Sequence, residues 1–76
     1  MNIKLVVKIK PKPLLTILAK ENMSQNGLAR VAGLQSGHVS QLISGKRNVS
    51  PNTRRKILQS LNGVQFDEIF AIRQRK

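Results

Sequence analysis

The sequence predicts a mainly α-helical domain of five helices with a short β-strand at its N-terminus, which a C-terminal strand is placed to pair. Three observations predict it. Apolar residues recur at helical spacing in successive segments after Pro13, opened by Ser or Pro and closed by Gly. Residues 2–9 alternate with period two instead. A chain of 76 residues without cysteine supports one small core and has no disulfide or zinc cluster to help it.

The first element is a strand. Ile3, Leu5, Val7 and Ile9 fall on one face, and Asn2, Lys4, Val6 and Lys8 on the other, with β-branched residues throughout. Pro11-Lys12-Pro13 stops the ladder, because proline has no amide to donate. Pro13 suits the first position of a helix, which runs to about Asn22 with Leu14, Leu15, Ile17, Leu18 and Ala19 as its apolar stripe. Ser24 is an N-cap for a second helix that buries Leu28, Ala29 and Ala32 and ends at Gly33, where a left-handed residue is needed. A third helix covers about Ser36 to Ser44, with Val39, Leu42 and Ile43 inward and Gly45 after it. Ser50-Pro51 opens a fourth, which runs to about Leu61, buries Ile57, Leu58 and Leu61 and stops at Asn62-Gly63. Phe66, Ile69 and Phe70 mark one last helical turn, with Asp67 and Glu68 near its positive end. Ala71 to Lys76 is a basic tail or a short strand, and Ala71 to Arg73 is the partner available to the N-terminal strand.

Charge narrows the function. Fourteen Lys and Arg against three Asp and Glu give a net charge of +11. Between Asn22 and Phe66 there is no carboxylate, yet Arg30, Lys46, Arg47, Arg54, Arg55 and Lys56 lie there. Such a surface points to a polyanionic partner. One His and three acids are too few for a catalytic cluster, so no enzyme, metal or cofactor is expected. No apolar run approaches the roughly 18 residues that span a bilayer, and Lys interrupts the apolar N-terminus, so neither a membrane partner nor a signal peptide is expected. A cytoplasmic location, in a bacterial cytoplasm or nucleoid, is the corresponding expectation.

Residues 25–44 read QNGLARVAGLQSGHVSQLIS. With Gln25 as the first position, Leu28 is fourth, Ala29 fifth, Ala32 eighth, Gly33 ninth, Leu34 tenth, Val39 fifteenth and Leu42 eighteenth. This is helix-turn-helix spacing: a small fifth residue where two helices cross, a glycine at the tight turn, and apolar positions that pack the pair on the domain. An ordinary helical hairpin explains the leucines but not Ala29 and Gly33 together. From Leu14 to Phe70 the chain resembles the phage repressor and Cro family, through SQNGLARVAG, HVSQLISGKR and FDEIF. A second likeness, of VSQLISGKRNVSPNTRRKIL to the headpiece of the Lac repressor family, fits less well because here a helix precedes the motif. The resemblance divides the chain into an N-terminal strand or arm (1–10), a helix-turn-helix DNA-binding domain (14–70) and a basic tail or strand (71–76). The family often pairs an Arg in its first helix with a Glu late in its third. The aligned residues here are Leu18 and Ile43, which we read as core contacts, since exchanging both charges for apolar groups strands neither.

The resemblance implies a DNA-binding transcriptional regulator whose third helix enters the major groove. The positions that face base edges in the family match Ser36, Gly37 and Gln41, with His38 and Ser40 beside them. Gln suits the N6 and N7 of adenine and Ser suits several edges, whereas Gly37 reads nothing. Gln25 matches the family's phosphate-contacting glutamine at a helix N-terminus, with Asn26 next to it. Lys46, Arg47 and Asn48 match the backbone-contacting loop, and Arg54 extends it along the fourth helix. The expected partners are double-stranded DNA and a second copy of the chain, with no small-molecule effector domain. Two other functions are compatible with these features: a nucleic-acid-binding protein of low specificity, and the antitoxin of a toxin–antitoxin pair.

Overall fold

A computed structural model describes residues 4–75. Along the chain come β1 (Lys4–Ile9), α1 (Pro11–Lys20), α2 (Gln25–Ala32), α3 (Ser36–Ile43), α4 (Pro51–Ser60), α5 (Phe66–Ile69) and β2 (Phe70–Arg75). The two strands pair antiparallel, with Ile9 opposite Phe70, Val7 opposite Ile72 and Lys4 opposite Arg75. The expected strand residues Asn2 and Ile3, and Lys76 of the tail, lie outside the described residues.

The helix starts and stops follow from local chemistry. Ser24 caps α2 by accepting the Gly27 amide at 2.9 Å, and Ser50 caps α4 through the Thr53 amide at 3.3 Å. Three helices close in one way. Asn22, Gly33 and Gly45 are left-handed, and the next amide bonds five residues back: Met23 to the Leu18 carbonyl, Leu34 to Ala29, Lys46 to Gln41. Each closure satisfies carbonyls the helix end would otherwise leave unbonded.

Several boundaries differ from those the sequence predicts. α1 begins at Pro11, not Pro13, and ends at Lys20, not Asn22. Both prolines fit its first turn, where amides have no intrahelical acceptor, and the first bond runs from the Leu14 amide to the Lys10 carbonyl. Leu15 and Ala19 are exposed, although the apolar stripe included them. At about 100° per residue they turn away from the face centred on Leu14 and Leu18. α3 stops at Ile43, and α4 stops at Ser60 with Leu61 buried just beyond it. Phe70 opens β2 rather than closing the last helix, and β2 runs to Arg75 rather than Arg73. In α5 the Glu68 carboxylate accepts the Gln65 amide at 2.6 Å, which uses one of the chain's few acids to start the helix.

One core serves both the helices and the sheet. Leu14, Leu28, Val39, Leu42, Ile57, Ile69 and Phe70 are fully buried or nearly so, and Leu18 and Ile43 belong to the same cluster. Val7 and Ile9 join it from β1, so the inner half of the sheet caps the core. The outer half does not: Leu5 is 65% and Ile72 58% exposed. No described helix is long and apolar enough to cross a membrane.

Ile9 is part of the core, so Ile9→Ala is expected to cost about 2–5 kcal/mol in chemical denaturation, with the denaturant slope unchanged. A loss below about 0.5 kcal/mol would show that β1 lies on the surface without supporting the fold.

Candidate nucleic-acid interface

Ala29 is buried in the middle of α2, which packs on α3, and a larger side chain there would push its neighbours apart. Gly27 is also buried, and a Cβ there would lie 3.1 Å from Met23 Cγ and 3.3 Å from Ser24 Oγ. Glycine therefore lets the cap serine close tightly on the first turn of α2. The Ser24 side chain satisfies only the Gly27 amide, and its carbonyl accepts the Leu28 amide. The amides of Gln25 and Asn26 stand at the positive end of α2 without a helical acceptor, and both side chains are exposed.

α3 has two distinct faces. Val39, Leu42 and Ile43 point inward. Ser36, Gly37, Ser40 and Gln41 are exposed and recur at spacings of one and four, so they share the outward side. His38 is half-buried at the border between the faces. The N-cap, Gln35, makes no side-chain cap bond, which leaves the first-turn amides of α3 without a side-chain partner there. A Cβ on Gly37 would meet nothing within 4 Å, so packing does not require glycine at that position.

The loop after α3 presents cations on a fixed backbone. Lys46, Arg47 and Asn48 are exposed, and Val49 behind them is 2% exposed. The Val49 amide donates to the Val7 carbonyl at 2.8 Å, and the Val49 carbonyl accepts from Arg54 Nη1 at 2.7 Å. Arg54 thus braces the loop from α4, and a guanidinium has five N–H donors, so others remain for a ligand. Lys8 Nζ donates to the Gly45 carbonyl at 2.9 Å and ties β1 to the end of α3. Sequence patterning did not single out Val49, Lys8 or the bracing bond of Arg54. An isolated apolar residue between Asn48 and Ser50 is the one signal of the buried anchor.

Comparison with known proteins decides the family. A family model described as helix-turn-helix matches residues 14–69, most of the chain. The chain belongs to this Cro/C1-type helix-turn-helix family. No curated protein and no solved structure matches it significantly. The helix-turn-helix match covers α2, α3 and the loop that follows, so the protein carries a DNA-binding regulatory domain, and the family is not a catalytic one.

Two substitutions test this interface. Lys46→Ala is expected to weaken binding to all duplexes alike and to reduce the log–log dependence of affinity on salt by about 0.9 per bound protomer. Gln41→Ala is expected to cost about 1–3 kcal/mol on a preferred duplex and to relax the preference at one base pair, read by competition binding. Equal losses on preferred and random duplexes would show that Gln41 reads no base.

Proposed function

We propose that the protein is a repressor-like transcriptional regulator that binds a palindromic operator as a homodimer. α3 enters the major groove. Gln41 and Ser36 read base edges, with Ser40 and His38 at the margins of the contact, and Gly37 brings backbone rather than side chain to the groove. Gln25 and Asn26 at the start of α2, and Lys46, Arg47 and Asn48 after α3, hold phosphates and set the register. Arg54 keeps the loop in place and adds charge behind it. The observation that carries this reading is the outward face of α3, where Ser36, Gly37, Ser40 and Gln41 are exposed without a large apolar group among them, leading directly into an exposed cationic loop.

The dimer rests on a separate observation. Leu5 and Ile72 are large, apolar and mostly exposed, and the strand register puts them on the same side of the sheet. A second copy meeting this patch about a two-fold axis would cover it and present two copies of α3. Pairing two half-sites about 34 Å apart then raises both affinity and specificity. A low-specificity mode of binding is favoured by Gly37, which offers no side chain for readout.

Selection of bound sequences from random duplex DNA separates these readings. The regulator is expected to enrich a palindrome with half-sites one helical turn apart and to prefer it about a thousandfold or more over random DNA. No enriched sequence would establish the low-specificity mode instead. Leu5→Lys with Ile72→Lys is expected to give a folded monomer by sedimentation with weakened palindrome binding. An unchanged oligomeric state would remove the sheet from the dimer contact.

A further inference from the structure

The sheet has a second face, which neither the core nor the apolar patch uses. Lys4, Val6 and Lys8 of β1 alternate onto it, opposite Arg75, Arg73 and Ala71 of β2. Four cations thus share one side of a two-stranded ribbon, and Lys4 stands directly across from Arg75. Like charges in directly opposed positions destabilise a sheet. Lys4, Arg73 and Arg75 are exposed, so nothing in the fold requires them there.

The ribbon also forms one wall of a cleft. Val6, Lys8, Gln74 and Arg75 line it from the sheet, and Lys46 and Asn48 line it from the loop after α3, around a volume of about 330 Å³. Its lining residues include three cations and the amide of Asn48, and no carboxylate. The Lys8 ammonium is already oriented by its bond to the Gly45 carbonyl, and an ammonium has two further N–H donors. Cationic and amide donors converging without a counter-charge fit phosphodiester oxygens.

We infer that the basic face of the β1–β2 ribbon is a second phosphate-binding surface for the same DNA duplex, joined through Lys46 to the loop after α3 and lengthening the contact beyond the helix-turn-helix. The inference rests on the reading of α3 as the groove-binding helix. Lys8, Arg73 and Arg75 hold backbone phosphates and read no base. The two faces of the ribbon then serve different partners: the side with Leu5 and Ile72 meets a second copy, and the side with Lys8 and Arg75 meets DNA. The like-charge strain in the free protein is relieved when phosphates lie against it.

The test compares salt dependence of duplex binding for the full chain, for Arg73→Gln with Arg75→Gln, for Lys8→Gln with Arg75→Gln, and for Lys20→Gln. Lys20 closes α1 and lines no part of the cleft. Each double variant is expected to lower the log–log salt slope by about 1.8 per bound protomer, two phosphates at about 0.9 each, with base preference unchanged. Lys20→Gln is expected to leave the slope unaltered. The Arg73/Arg75 variant is expected to melt at the wild-type temperature or above it, because it removes like charges from one face. Should Lys8→Gln fail to fold for want of its bond to Gly45, the Arg73/Arg75 variant still decides. A wild-type slope in that variant, alongside a reduced slope in Lys46→Ala, would overturn the ribbon surface and leave the α3 reading intact. Loss of base preference, or a lowered melting temperature, would also overturn it, since the effect would then pass through the fold or the reading helix. Absence of salt-dependent duplex binding by the unaltered protein would remove the α3 reading itself.

Discussion

Val49 is held on three sides. Its side chain is in the core, its amide bonds to Val7 of β1, and its carbonyl accepts from Arg54 of α4. The loop that leaves α3 therefore cannot swing as a free linker. Two bonds and a buried side chain fix where Lys46, Arg47 and Asn48 stand relative to α3. The same residue couples the N-terminal strand to the helix-turn-helix, so a sheet made from the two chain ends stabilises the segment next to α3. A contact surface built on loops gains precision when its backbone is over-determined in this way.

Charge opposes the fold that this junction secures. The chain carries +11, and its few acids are placed away from the cationic stretch: two of the three lie in α5, where Glu68 closes the first turn. Self-repulsion on this scale costs stability in the free protein. A polyanion bound to the same surface recovers that cost, and the gain is greatest where cations are clustered without counter-charges. The cleft between the ribbon and the loop is such a place. Beneath the charged surface lies one continuous apolar cluster that includes Leu18 and Ile43, with Thr53 the buried polar residue beside it.

Much of this was legible in the sequence because it depends on short-range chemistry. Ser24 and Ser50-Pro51 mark helix starts, and Gly33 and Gly45 mark ends, for reasons confined to a few residues. Ala29 and Gly33 at helix-turn-helix spacing placed α2 and α3 on each other. The period-two run identified β1, and Ile72 identified its partner. What stayed hidden depends on long-range neighbours. The last residues of β2, Gln74 and Arg75, are both polar and show no alternation, so their pairing shows only once β1 lies beside them. Lys10, just before the Pro11 start of α1, bonds through its amide to the Ile69 carbonyl, a contact distant in sequence. The bonds of Lys8 to Gly45 and of Arg54 to Val49 are invisible to any local pattern.

In the function proposed above, α3 and the loop after it form the DNA-contacting surface. Backbone amide shift mapping during titration with a short duplex tests this most directly. The largest changes are expected on Ser36, Gly37, Ser40, Gln41 and the loop residues Lys46 to Asn48, with weaker changes at the amides of Gln25 and Asn26. Changes centred on the exposed side of α1 or on the second half of α4, with the outward residues of α3 unmoved, would contradict it.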